Sequence, residues 1–151
     1  QWVRHRTWHY NFQSGRYTPF EDADFYIPTA ERWRRQSASN KQGSEGTLEP
    51  GEGGALTDRL AAFTAEGYRL YEDALAQGVA REQARLFLPG WSAYYIAVCK
   101  VDAWNLMHFL RLRMAEDAQW EIRQYAHAVH DIFCEVMPWT AEAFDQYIKP
   151  A

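Results

Sequence analysis

Arginine and histidine crowd the beginning of this chain. Arg4-His5-Arg6 is followed seven residues later by Ser14, and then by Gly15-Arg16-Tyr17. The first nineteen residues hold three arginines and two histidines, with no acid before Glu21. Like charges this close repel unless an anion compensates them or acids arrive from elsewhere in the fold. Residues 1–13 are rich in aromatic and β-branched types and predict a strand. On a strand Arg4 and Arg6 share a face and His5 points away, so one segment addresses two groups. The Ser14-Gly15-Arg16 turn adds a hydroxyl and an unhindered backbone N–H, suited to cradling a phosphate. The competing reading is a solvated strand edge whose arginines pair with Glu21, Asp22 or Asp24. Both stand on these residues alone.

Other polar groups carry less. Ser14 lacks the Gly-x-Ser-x-Gly elbow and an oriented His–Asp pair, so it is a hydrogen-bonding turn serine rather than a nucleophile. His127, His130 and Asp131 share one helix, but no further ligands stand at useful spacing, and no metal is expected. His108 lies in an apolar helix and reads as a core histidine. Cys99 and Cys134 lie in apolar surroundings with no neighbouring base, which predicts reduced core thiols and suits a cytoplasmic protein. Arg111 and Arg113 fall about 200° apart around a helix, so both are not expected to face one pocket. Arg85, before Leu86-Phe87-Leu88-Pro89, is an isolated cation in apolar company that either snorkels or binds something.

The elements that must position these groups are mostly helical. Thr29 is a cap for a short helix over 30–35. Residues 36–54, dense in Ser, Gly and polar types, predict a flexible surface loop. Leu56, Leu60, Phe63, Leu70 and Leu75 recur at helical spacing over 56–77, with Gly78 as the stop. Another turn or two spans 80–86. Residues 91–101 fit strand or helix by pattern. Asp102 caps a helix over 103–113. A long helix runs over 117–136, ended by Pro138, and Thr140 caps a last one over 141–148. The predicted class is α+β, mostly helical with a small early antiparallel sheet, in a single domain over 1–151.

The 151 residues are 47% apolar and 24% charged with a net charge of −4. That composition supports one real core, since a domain of this size buries roughly 68–70% of its unfolded surface. It excludes a disordered chain and a disulfide-dense scaffold. No apolar run reaches membrane-spanning length, and bulk charge gives no nucleic-acid signal. Thirteen of the sixteen basic residues are arginine, and seven residues are tryptophan. Guanidinium forks beside flat rings are what a site for phosphorylated heterocycles needs, although an aromatic core is the plainer account of the rings. The chain opens on Gln1 within a patterned segment, and an upstream portion is expected.

Arg4-His5-Arg6, seven residues and Ser14 together resemble the RHR-x7-S signature of the flavin-dependent thymidylate synthases. Asn11 and Gly15-Arg16-Tyr17 agree with it, as do Arg85-x3-Pro89, the stretch Leu106–Arg113, Ala118–Arg123 and Pro138-Trp139-Thr140. The similarity spans the chain apart from 36–54. It implies a homotetramer with sites built by several subunits, FAD as the bound flavin, and NADPH and methylenetetrahydrofolate as co-substrates. It further implies dUMP or UMP as the acceptor at C5, without a nucleophilic cysteine. By position, Arg4, His5, Arg6, Asp102, Trp104 and His108 would contact FAD. Gln1, Arg4, Ser14, Gly15, Arg16, Arg85 and Arg113 would hold the nucleotide, with Arg113 as the catalytic cation that stabilises the pyrimidine as N3 ionises. The chain departs from the family pattern at Trp8, His9, Phe12, Asp102, Trp104 and Asp117. Those departures fit either the branch that methylates UMP as well as dUMP in nucleoside-antibiotic pathways, or a flavin- and nucleotide-binding homologue without turnover. Neither membrane nor nucleic acid is an expected partner.

Overall fold

The computed structural model describes residues 1–21, 25–41 and 43–149. The strands are β1 (His9–Phe12), β2 (Arg34–Gln36), β3 (Ser44–Thr47) and β4 (Ala97–Lys100). The helices are α1 (Pro50–Ala76), α2 (Arg81–Ala84), α3 (Ala103–Arg113), α4 (Trp120–Val136) and α5 (Pro138–Tyr147). β1 pairs with β4 and β2 with β3, giving two small two-stranded sheets in a mostly helical α+β fold. None of the described helices is long and apolar enough to cross a membrane. The residues cluster into two compact units, one of 1–10, 36–44 and 99–151, the other of 11–35 and 45–98.

In the first unit the core is Trp8, Phe109, Leu110, Ile122, Ala126, Phe133, Ala141 and Phe144. These side chains come from α3, α4 and α5 at helical spacing, joined by one tryptophan from the N-terminal segment. The Asp102 cap is as expected: its carboxylate accepts the Asn105 backbone N–H at 2.9 Å, and α3 spans 103–113. α4 ends at Val136 ahead of Pro138, as expected, but Pro138 also opens α5 at the first helical position, where its missing N–H costs nothing, so Thr140 lies inside that helix and does not cap it. The expected strand over 1–13 is reduced to β1. Trp2–Arg4 is instead a 3-10 turn, with Trp2 stacked on Phe109 at a centroid distance of 4.8 Å. Burial of the aromatic rings overrides the extended propensity there.

In the second unit, α1 buries Gly53, Thr64, Gly67, Tyr71 and Ala74, a stripe of small residues and one tyrosine. The expected leucine ladder is not the buried face, and Phe63 is 59% exposed. The glycines explain the choice. A Cβ on Gly67 would sit 2.6 Å from the Phe87 carbonyl oxygen, and one on Gly53 would collide with the Ala30 carbonyl. Close backbone approach therefore recruits small residues. Gly78 ends α1 with φ of 81°, while the Val79 and Gly78 N–H groups close onto the Ala74 and Leu75 carbonyls. Within 36–54 composition predicts a loop, whereas the chain forms β3 there and starts α1 at Pro50. The 30–35 and 80–86 helices shrink to a 3-10 turn at Ala30–Arg32 and to α2 with a 3-10 turn at Arg85–Phe87.

Candidate active site

In the first unit, the C-terminal end of α3 and the N-terminal turn enclose a cavity of about 800 Å³. Gln1, Arg4, Arg111 and Arg113 line it, together with Lys41, Asp117 and Gln119. Its described walls thus hold four cations against one carboxylate. Arg4, Lys41, Arg111 and Arg113 make no ion pair among the described residues. A concave, cation-rich wall with uncompensated charge concentrates anions, and guanidinium groups grip phosphate with paired N–H donors. The expectation that Arg111 and Arg113 cannot share a pocket is overturned. The chain turns across the helix end through Ala115, Asp117 and Ala118, so the cavity sits at the terminus, where long side chains on opposite sides both reach it. Sequence reasoning does not single out Arg111, Lys41 or Asp117 as binding residues. The Arg-x-Arg at a helix end is a signal for Arg111, and nothing local marks Lys41.

His5 is 7% exposed, whereas its neighbours Arg4 and Arg6 are exposed. The alternation expected of a strand is kept, on a turn instead. Phe109 meets the imidazole edge-on at 5.0 Å, and Trp8 and His108 flank it. Arg113 Nε donates a hydrogen bond to His5 Nε2 at 3.1 Å. Burial, then the Arg113 guanidinium, then His108 push the His5 pKa down to about 4. The ring is therefore neutral, with Nε2 as an acceptor and the proton on Nδ1.

A smaller cavity of about 320 Å³ lies along α3, lined by Trp104, Met107, His108, Arg111, Tyr147 and Ile148. Flat rings, apolar walls and three nitrogen-bearing side chains suit the edge of a planar heterocycle, at the small end of ligand pocket sizes. Arg111 lines both cavities. Asp102 is differently employed: Oδ1 and Oδ2 accept from the Asn105 backbone and side chain at 2.9 and 2.7 Å.

In the second unit, Ser14, Gly15 and Arg16 form a tight turn. Ser14 Oγ accepts the Arg16 N–H at 3.3 Å, which ties that N–H into the turn. Gly15 is buried beneath Phe20, whose ring would lie 2.5 Å from any Cβ there. Arg16 approaches Glu82 at 3.9 Å, a pair at least half exposed and worth little. Arg85 is exposed at the start of its 3-10 turn and has no ion-pair partner among the described residues. Of the acids expected to pair with the early arginines, Asp22 and Asp24 lie outside the described residues. Both thiols are free, but Cys99 is exposed rather than in the core, as is every residue of β4. His130, Cys134 and Asp145 place one ligand atom each within 4.8 Å of one another. The Asp145 oxygen already accepts from His130 at 2.8 Å and Lys149 at 3.1 Å, which makes the group a link between α4 and α5.

Comparison with known proteins agrees with the motifs. The family model described as thymidylate synthase complementing protein matches residues 1–139. The flavin-dependent thymidylate synthase of Thermus thermophilus is 45% identical over 148 residues, covering 98% of this chain and 52% of that protein. The Dictyostelium discoideum protein of the same name is 42% identical over 147 residues, covering 97% and 48%. The chain therefore spans about half the length of these curated relatives. Among solved structures, the UMP/dUMP methylase PolB from Streptomyces cacaoi bound with 5-Br UMP superposes with a TM-score of 0.86 at 31% identity, covering 97% of this chain and 67% of that one. With its signature residues, fold and family match in agreement, the chain belongs to the thymidylate synthase complementing protein family.

Proposed function

We propose that this chain forms the nucleotide- and flavin-facing part of an enzyme that reductively methylates uridylate at C5. The acceptor is dUMP, UMP or both, the one-carbon donor is methylenetetrahydrofolate, and NADPH is the reductant. The observation that carries this reading is the cavity that gathers Gln1, Arg4, Arg111 and Arg113 around uncompensated positive charge, in a chain 45% identical to a flavin-dependent thymidylate synthase. PolB, named as acting on both UMP and dUMP, supports the pair of acceptors.

In this reading Arg4 grips the phosphate, helped by Gln1. Arg113 meets the pyrimidine and stabilises negative charge as N3 ionises, which raises electron density at C5. Such fixed cations stabilise developing charge without reorganising during reaction. Ser14, Gly15, Arg16 and Arg85 are assigned to the nucleotide by their match to the family motifs. Arg4, His5, Arg6, Asp102, Trp104 and His108 are assigned to FAD on the same basis. The rings and donors around Trp104 and His108 fit the edge of a flavin, whereas the Asp102 carboxylate is spent on its cap and would act through backbone placement. When bound, reduced flavin supplies hydride. That hydride and the methylene carbon of the folate would together account for the methyl group that replaces the C5 hydrogen, while Arg4 and Arg113 hold the nucleotide in place.

The family resemblance further implies a homotetramer. Trp91, Leu86 and Trp139, large apolar groups left in solvent, support subunit contact. Two free thiols support a cytoplasmic setting. The test is spectroscopic and kinetic. Purified protein should carry the visible bands of oxidised flavin, and NADPH oxidation should rise when UMP or dUMP is added. A colourless protein, or one whose NADPH oxidation ignores nucleotide, overturns the proposal.

A further inference from the structure

The Arg113 guanidinium has five N–H donors. One, on Nε, is held by His5 Nε2 at 3.1 Å, and among the described residues Arg113 makes no other side-chain hydrogen bond. The remaining four sit on the two terminal nitrogens of a side chain that lines the large cavity. A planar group anchored through Nε can no longer rotate freely about its last bonds, so fixing that nitrogen aims the outward fork. The anchor is itself fixed. The His5 ring is 7% exposed and wedged against Phe109, Trp8 and His108. We infer that His5 is a positioning residue: its buried, neutral imidazole orients Arg113 so that the terminal N–H pair meets the pyrimidine edge of the nucleotide. This departs from the assignment of His5 to the flavin, and it rests on the proposed reading of Arg113 as the cation that stabilises the pyrimidine.

Only a neutral ring can serve. A protonated His5 would present N–H to N–H and place two positive charges in contact. The low His5 pKa keeps the acceptor available throughout the neutral range. Burial that looks like ordinary core packing thereby keeps a lone pair where Arg113 needs it.

A double-mutant cycle on the flavin-bound protein tests this, with 5-Br UMP as the probe. Two readouts are its dissociation constant and the pH at which the bound probe loses its N3 proton, followed by ultraviolet absorbance. His5→Phe keeps a ring of similar shape without the acceptor; His5→Gln returns an acceptor near Nε2. The expected result is roughly tenfold weaker binding for His5→Phe, with N3 ionisation moved back toward that of free probe. His5→Gln should recover most of both. In an Arg113→Ala background, His5→Phe should cost no further affinity, because the two residues act as one unit. Flavin absorbance should be kept by every variant. Additive losses, unchanged N3 ionisation in His5→Phe, or loss of flavin from that variant with binding otherwise intact would overturn the inference. Should Arg113→Ala itself leave N3 ionisation unchanged, the role of Arg113 falls, and the positioning role with it.

Discussion

His130 donates through Nε2 to Asp145 Oδ1 across 2.8 Å, tying α4 to α5 beside Phe144. The bond sets a polar link beside the aromatic and aliphatic side chains of that core. Burial works against the charged carboxylate of Asp145, but hydrogen bonds from His130 and Lys149 outweigh it and hold its pKa below the ordinary value. A carboxyl with a depressed folded pKa stabilises the native state above its unfolded pKa, and that help is lost as pH falls through the folded value. Asp145→Ala should destabilise the protein by about 1–3 kcal/mol at neutral pH, since it strands a buried ring N–H. Urea denaturation should show the difference shrinking as pH drops below about 4. A difference that holds or grows on acidification would refute the link.

His5 contributes with the same sign through the opposite charge state, because the fold favours its neutral ring. Its folded pKa of about 4 lies below the 6.5 of a free imidazole, so the unfolded chain binds a proton that the native state refuses. Stability should be complete above about pH 6.5 and decline between roughly pH 6.5 and 4, by at most about 3 kcal/mol. His5→Gln should flatten that decline in thermal melts. A wild-type melting temperature that does not change over this interval would contradict the burial argument.

Two glycines of α1 should respond with opposite signs to one substitution. Helix propensity favours alanine over glycine by about 1 kcal/mol. At Gly54 an added Cβ meets nothing within 4 Å, so Gly54→Ala should stabilise by up to that amount. At Gly67 the same Cβ meets the Phe87 carbonyl oxygen at 2.6 Å, and a backbone atom cannot step aside cheaply. Gly67→Ala should destabilise by about 1–3 kcal/mol. Equal responses in denaturant titrations would remove the close-approach account.

Those glycines also show where sequence reading stops. Asp102, its cap and the full extent of α3 are legible because capping is local chemistry. The start of α1 is not, since Pro50, Gly51, Gly53 and Gly54 read as loop when the packing that demands a small residue at Gly53 is out of sight. Pro138 reads as a stop because proline ends one helix and begins another with the same chemistry. At the site, Arg4 and Arg113 emerge through motif and spacing. Arg111 is hidden by a rotation argument that holds along a helix and fails at its end. Lys41 reaches the cavity through tertiary placement alone.

The cavity cations should separate by function. Arg113→Ala should abolish methylation while leaving flavin absorbance in place. Arg111→Ala should weaken nucleotide binding, roughly tenfold, through the loss of one charge-assisted contact. Affinity of the unmodified protein should fall as salt rises, because the recognition is cationic. Isothermal titration with UMP at several salt concentrations reads the two affinity predictions; salt-independent affinity would point to a different mode of binding.

The most direct test is the identity of the product. Flavin-bound protein given NADPH and methylenetetrahydrofolate, with UMP and dUMP in parallel, should yield a nucleotide heavier by one methylene group, with the C5 hydrogen lost from the ring. Mass spectrometry of the recovered nucleotide reads both changes. Nucleotide recovered unaltered from both reactions, by protein that binds flavin and nucleotide, would contradict the assignment and leave a binding protein without turnover.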